Sequence, residues 1–388
     1  MSDRGITNTA PLILLVTRNF PPLLGGMEKV NHRMLRALQP SWRTALCGPD
    51  GSGHYAGSAT EVKQSRVKPL PVFLLATLFK ALRFAVRCKP TWVIAGSGLT
   101  APIAWAAARL AGGRAAVYLH GLDIVAPSRA YQSLWLPFIR RCDLVLVNSA
   151  NTAALAHGRG VGSTVTHVLH PGTDLPDLDL EAGIGFRRQH GFGSRPLLLS
   201  VGRLTQRKGL VEFVSKALPL IVSQHSAVLL VVIGEEAIDA LHARAGSERE
   251  RILIAARAHR VEENIRFLGR CDDASLSAAF QAASLHVFPV LDLPGDVEGF
   301  GMVALESAAH GLPTVAFKVG GVSDAVENGQ TGALIEAGDY VALAAAVTQH
   351  LAHARGEASV VSCRAFAATK TWPLFGARLL DLLGSRHV

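Results

Sequence analysis

Apolar residues fall along this chain in two recurring patterns: short continuous runs, and longer stretches with apolar positions three and four residues apart. The run LILLVT (12–17) is of the first kind, and MEKVNHRMLRALQ (27–39) is of the second. Short runs return as TWVIAG (91–96), AAVYLH (115–120) and DLVLVNS (143–149), with helical stretches such as TAPIAWAAARLAG (100–112) between them. A brief apolar run bounded by turn residues reads as a strand buried on both faces. Alternation of such strands with helices predicts a parallel sheet covered by helices on both sides.

The pattern breaks at HPGTDLPDLDLEAG (170–183), which is rich in Pro, Gly and Asp, and then restarts. Strand-like runs follow at 196–204, 227–234, 265–269, 285–289 and 313–317, again with helices between them. The chain predicts two similar α/β units at 1–180 and 181–370 and an amphipathic terminal helix over 371–388. No short-period repeat is visible. Two Rossmann-like, doubly wound domains facing each other across an interdomain cleft is the architecture this order implies.

A length of 388 residues suits two domains of ordinary size. The five cysteines are scattered without a CxxC pair, which points to neither a disulfide framework nor a zinc site and fits a reducing cytoplasm. The apolar run Leu12–Val16 is short for a secretory leader and is followed by Arg18, and no stretch is long enough to span a bilayer. Charge is divided unevenly. Residues 1–180 carry 19 Lys+Arg against 9 Asp+Glu, or +10, and the remainder carries 20 against 21, or −1. A basic first half suggests an anionic partner there, and nothing suggests nucleic acid.

The chemistry concentrates in GDVEGFGMVALESAAHGLPTVAF (295–317), where Glu298 and Glu306 stand eight residues apart. A helix beginning near Gly301 would point its N-terminus at the ligand edge of a parallel sheet. Gly299 and Gly301 permit close approach of a ligand, and the amides of Met302 and Val303 would face an anion. Phosphate on the amides and a polyol on the two acids describes a nucleotide-sugar. Taken singly, either Glu reads as an ordinary helix-region acid. Gly25 and Gly26 read as a turn after the first strand, open to close approach. Arg203 and Lys208 follow the strand-like run LLLSVG and suit a diphosphate, Arg as a fork and Lys as a point charge. His120 ends a strand, the usual place of a structural histidine. Gly96-x-Gly98-x-x-Ala101 has the outline of a dinucleotide-binding turn, with Asp123 placed as a ribose acid, but it does not follow the first strand. Asp177 and Asp179 read as solvated acids rather than a metal motif. The apolar segment 69–90 carries Lys80, Arg83, Arg87 and Lys89, and reads equally as an interfacial helix or one packed on the sheet.

The segment from Gly295 resembles the E-x7-E motif of retaining glycosyltransferases, in particular glycosyltransferase family 4. NFPPLLGGMEKV, YLHGLD, VNS, SVGRLTQRKG and HGLPTVAFKVGGVSDAVENGQTG resemble that family's other motifs in the expected order. The resemblance implies a GT-B fold whose last helix, with Pro373 at a bend, crosses back to the first domain. It assigns the nucleotide ribose to Glu306, the hydroxyls of the transferred sugar to Glu298, and the leaving diphosphate to Arg203 and Lys208, with His120 lining the cleft near the sugar. It further implies retaining transfer of a hexose, with GDP-mannose the first donor expected, to a lipid-linked or saccharide acceptor. Neither a metal nor a cofactor is expected. The protein would be cytoplasmic, with weak peripheral contact to an anionic membrane surface. A GT-B epimerase, an NAD-dependent oxidoreductase and a non-enzymatic sugar-nucleotide sensor are the alternatives.

Overall fold

Every strand-like run named above forms a strand, and each strand lies parallel to its neighbours. The structure, a computed structural model, describes residues 11–236, 246–353 and 356–384. The chain forms two units, one ending at Gly172 and resuming at Trp372, the other running from Thr173 to Thr371. Residues 173–180 therefore go with the second unit.

The first unit holds a seven-stranded sheet. Its strands are β1 (Leu12–Val16), β2 (Arg43–Pro49), β3 (Glu61–Ser65), β4 (Trp92–Ala95), β5 (Arg114–Leu119), β6 (Leu144–Val147) and β7 (Thr166–Val168), in the order β3-β2-β1-β4-β5-β6-β7. Leu12, Leu14 and Val16 pack one face of β1 together with Val93, Ala95 and Val117, while Ile13 and Leu15, on the opposite face, are equally buried. Burial on both faces explains the unbroken apolar runs. The helix Leu70–Cys88 packs on the helix Ala101–Ala111, and its Ala81, Phe84 and Ala85 share a core with Ala101, Ala104 and Ala108. The last helix, Trp372–Gly384, packs on the helix Gly26–Leu38, where Gly376 lets the two approach closely at Ala37. Pro373 lies just after the break between the helices Glu357–Ala368 and Trp372–Gly384. It stands in the first turn of the last helix, where no backbone donor is lost. Residues 385–388 of that segment, and 1–10 of the N-terminal segment, lie outside the described residues.

The second unit holds a six-stranded sheet. Its strands are β8 (Leu197–Val201), β9 (Leu229–Ile233), β10 (Ile265–Gly269), β11 (Leu285–Phe288), β12 (Thr314–Phe317) and β13 (Gly332–Ile335), in the order β10-β9-β8-β11-β12-β13. Leu197 and Leu199 turn to one core while Leu198 turns to the other, so helices cover both faces here as well. Asp179 is the N-cap of the helix Leu180–Gln189 and accepts from the Ala182 amide at 3.0 Å.

Four strands go beyond the sequence reading. The edge strand β3 (EVKQS) is polar and largely solvent-facing, β7 has only three residues, and β2 and β13 carry glycine inside brief apolar runs. Their pairing comes from the neighbouring strand, not from a pattern of their own.

Candidate functional site

In an open parallel sheet the ligand crevice lies beyond the carboxyl ends of the strands, where the strand order reverses. That reversal falls between β1 and β4 in the first sheet and between β8 and β11 in the second. Gly25 and Gly26 follow β1, Gly96 and Gly98 follow β4, and His120 follows β5. Arg203 and Lys208 follow β8, and Glu298, Gly301 and Glu306 follow β11. Each sheet thus carries its candidate residues beside its own reversal point.

In the second unit the loop after β8 ends in a short turn, Gln206–Lys208, closed by Gly209 in the left-handed region (φ 70). A Cβ at Gly209 would collide with the Pro289 carbonyl oxygen, so only glycine lets the loops after β8 and β11 come this close. The Leu291 amide donates to the Arg207 carbonyl at 2.8 Å and locks the two loops together. Arg207 Nη1 and Lys208 Nζ then both donate to Glu298 Oε2, the latter at 2.9 Å, while Arg207 Nε lies 3.1 Å from Asp296 Oδ1. These four side chains are only 13–16% exposed. Lys208 also sits over the Phe288 ring, 4.5 Å from its centre.

Burial alone would raise the Glu298 carboxyl, but the charges of Arg207 and Lys208 outweigh it and hold it at about 2. Burial depresses Lys208 despite Glu298, and Arg207 and Arg203 add to the depression. The imidazole of His286 is fully buried, 3.0 Å from Thr314 Oγ1. Burial first, and the Lys208 charge second, push it down to about 3, so it is neutral at physiological pH.

The Glu298 loop is held from behind. The Gly321 amide donates to the Glu298 carbonyl at 2.8 Å, and a Cβ at Gly320 (φ 55) would strike that same carbonyl oxygen. Gly301 (φ 92) caps the helix Met302–Ala309 without a side-chain bond, and the first-turn amides of Met302 and Val303 have no acceptor within the helix. Glu306 is half-buried in the second turn, its carbonyl accepting from His310 Nδ1 at 2.8 Å. Arg203 is exposed.

The structure therefore brings Glu298 and Lys208 into contact, and it adds Arg207 and Asp296, which the sequence reading left out. Their signal was present: Arg207 adjoins Lys208, and Asp296 lies two residues before Glu298. Arg207 holds both acids with one planar fork, so Arg207→Lys is expected to lose at least one of its two contacts. Thermal unfolding should show Tm lower by a few degrees, corresponding to about 1–2 kcal/mol.

In the first unit Asn31 Nδ2 donates to the carbonyls of Gly96 (3.1 Å) and Asn19 (2.9 Å), and Asn19 Nδ2 donates to Glu28 Oε1 at 2.8 Å. The helix that carries Asn31 starts at Gly26, and Gly25 packs against the Glu28 carboxylate. His120 is buried with Nε2 3.0 Å from the Gly96 carbonyl, and its amide donates to Asp123 Oδ2 at 2.8 Å. Burial raises the Asp123 carboxyl against the opposing influence of His120 and of amide bonds from His120 and Gly98. A Cβ at Gly98 would lie 2.6 Å from the Tyr131 hydroxyl, and one at Gly96 2.5 Å from Asn31 Oδ1. The dinucleotide-like turn is filled by protein side chains, and Asp123 is spent on the backbone beneath it.

Comparison with known proteins follows the same division. The family model "Glycosyltransferase Family 4" matches residues 24–176, and "Glycosyl transferases group 1" matches residues 185–359. The GDP-mannose-dependent alpha-(1-6)-phosphatidylinositol monomannoside mannosyltransferase of Mycolicibacterium smegmatis is 28% identical over 97% of this chain and 99% of its own length. The protein of the same description from Mycobacterium tuberculosis is 26% identical over 96% and 97%. Among solved structures, HepE of Anabaena in complex with UDP superposes with a TM-score of 0.78 at 19% identity, covering 97% of this chain and all of that one. WaaG, a glycosyltransferase involved in lipopolysaccharide biosynthesis, gives 0.71 at 17% over 96% and 99%. These two likenesses show the fold. With a family model on each unit, and relatives matched along their whole length, the chain belongs to the group 1 glycosyltransferases of the GT-B fold.

Proposed function

We propose that this glycosyltransferase moves a hexose, mannose from GDP-mannose first, to a glycolipid or polysaccharide precursor with retention of configuration and without a resident metal or cofactor. The observation that carries the reading is the buried cluster of Arg207, Lys208, Glu298 and Asp296 at the reversal point of the second sheet. Buried cations beside unspent helix amides form a site for a diphosphate. Both cations converge on Glu298 Oε2, which leaves Oε1 to accept from the hydroxyls of the sugar. Glu306 is assigned to the ribose, and Arg203, Lys208 and the amides of Met302 and Val303 to the phosphates. Gly25 and Gly26 give the first unit a turn open to close approach. For His120 the support is the resemblance of its segment alone. The two mannosyltransferase relatives, described as GDP-mannose-dependent, support the choice of donor.

Chemically, the bond from the anomeric carbon to the diphosphate oxygen breaks with its electron pair leaving on the diphosphate. The acceptor oxygen attaches on the same face, and its proton passes to a phosphate oxygen. Charge grows on the diphosphate as this happens, so Arg203 and Lys208 stabilise the transition state more than the ground state. Titration of the protein with GDP, UDP, ADP and NAD by thermal shift tests the donor class, because a ligand of the folded state raises Tm. GDP is expected to stabilise most, and the Glu306→Ala protein should bind it about tenfold or more weakly. Stabilisation by UDP alone would replace the donor, and stabilisation by NAD alone would overturn the reading. The anomeric configuration of the product, read by NMR, tests retention.

A further inference from the structure

We infer that Phe288 is a positioning residue for the diphosphate: the face of its ring holds the Lys208 ammonium, and the tip of the same ring seats the start of the helix Met302–Ala309. Phe288 is the last residue of β11 and is 1% exposed. Lys208 reaches it across the reversal point of the second sheet. The stem of the lysine passes Gly202, directly after β8, where a Cβ would lie 3.3 Å from Lys208 Cε. The ammonium ends 4.5 Å from the centre of the Phe288 ring. At the tip of the ring, a Cβ on Gly301 would lie 3.1 Å from Phe288 Cε1, so the glycine that caps the helix packs directly on the aromatic. His286 stacks on the same ring, with centres 5.6 Å apart and planes 27° from parallel. One side chain thus touches both halves of the proposed phosphate site, the cation and the helix start.

The face of the ring matters because the ammonium has few other partners. Among the described residues Glu298 Oε2 is its one hydrogen-bond acceptor, at 2.9 Å. An aliphatic side chain at 288 would set the charge against hydrocarbon, which disfavours it. The negative face of an aromatic attracts it instead, and more strongly where little water enters. One wall and one carboxylate oxygen leave the other N–H groups for a phosphate, and they fix the ammonium relative to the amides of Met302 and Val303. Burial opposes the charged form of Lys208, Glu298 favours it, and Arg207 and Arg203 oppose it again. Asp296 is taken up by Arg207, and His286 is neutral. Against that balance the ring adds an attraction that only the ammonium form can use. The inference rests on the assignment of Lys208 to the diphosphate and on nothing about base or sugar.

Calorimetric titration of the full chain with inorganic pyrophosphate, which carries neither base nor sugar, tests it. Phe288→Leu would remove the aromatic face but also core volume, so the decisive series places phenylalanines with successively more ring fluorines at position 288. Each fluorine withdraws charge from the face of the ring and barely alters its shape. Pyrophosphate affinity should fall stepwise, to about three- to tenfold below wild type at the most fluorinated member. Lys208 should also give up its proton more readily, so the alkaline limb of binding should move down by about one pH unit. A ring that only fills the core would give a flat series and an unmoved limb. That result would overturn the inference and leave the diphosphate reading intact. Lys208→Met should weaken pyrophosphate about tenfold or more and abolish the dependence on fluorine. A wild type that does not bind pyrophosphate, or a Lys208→Met protein that binds it undiminished, would overturn both.

Discussion

Glu298→Ala is expected to be the most damaging single substitution in the second unit, for stability and turnover together. It strips Arg207 and Lys208 of the oxygen they share and leaves Asp296 as the acid paired with Arg207. An uncompensated charge in a site this enclosed costs on the order of 3 kcal/mol, which in a unit of this size lowers Tm by roughly 6–12 °C. Turnover should fall about a hundredfold or more, because the proposed mechanism gives the diphosphate to Lys208 and the hydroxyls of the sugar to Glu298. The sign of the pH dependence follows from the depressed carboxyl. Its folded value of about 2 lies below its ordinary 4.5, so its stabilisation is complete above pH 4.5 and is lost as pH falls toward 2. The Tm gap between wild type and Glu298→Gln should therefore be widest near neutrality and narrow below pH 4.5. His286 adds a drop that starts earlier. The unfolded chain takes up its proton near 6.5 and the folded chain only near 3, so wild-type stability declines across that window. Calorimetry from pH 7 to 3 reads both. A gap that stays constant with pH would mean that Arg207 and Lys208 contribute nothing through the Glu298 charge.

Gly320→Ala should come next. The residue has φ 55, and the new Cβ would collide with the carbonyl oxygen of Glu298. The loop that carries the carboxylate must move or the turn must open, at a combined cost of about 2 kcal/mol. Gly338→Ala is the matched comparison: φ is 86 there, but nothing lies within 4 Å of the new methyl, so only the backbone strain of about 1 kcal/mol applies. Donor KM should rise about tenfold in the first variant and stay put in the second. If the two variants behave alike, the contact behind Glu298 does not position it.

Much of this organisation was legible in order and spacing. Strands buried on both faces announce themselves as unbroken apolar runs, as LILLV and LLVVI do, and the helix expected near Gly301 is found at Met302–Ala309 after β11. What was not legible depends on partners distant in the chain. β3 is a strand because β2 lies beside it, and its polar residues alone give no such signal. Three cations follow β8 within seven residues, and which of them reach Glu298 is decided by the turn at Gln206–Lys208 and by the fit of Gly209 against Pro289. The segment 69–90 could not be divided into inner and outer faces from composition, since both are apolar. Only the position of the helix Ala101–Ala111 tells which side is the core.

The return of the last helix to the first unit has a consequence for synthesis. Phe375, Leu379, Leu382 and Leu383 complete a packing surface laid down some 350 residues earlier. In synthesis the first unit can complete this packing only after the helix Trp372–Gly384 has been made, and so only after the whole of the second unit has been made. Until that helix arrives, the part of the helix Gly26–Leu38 that it packs against has no cover, and a chain shortened before Trp372 would be a natural client for chaperones.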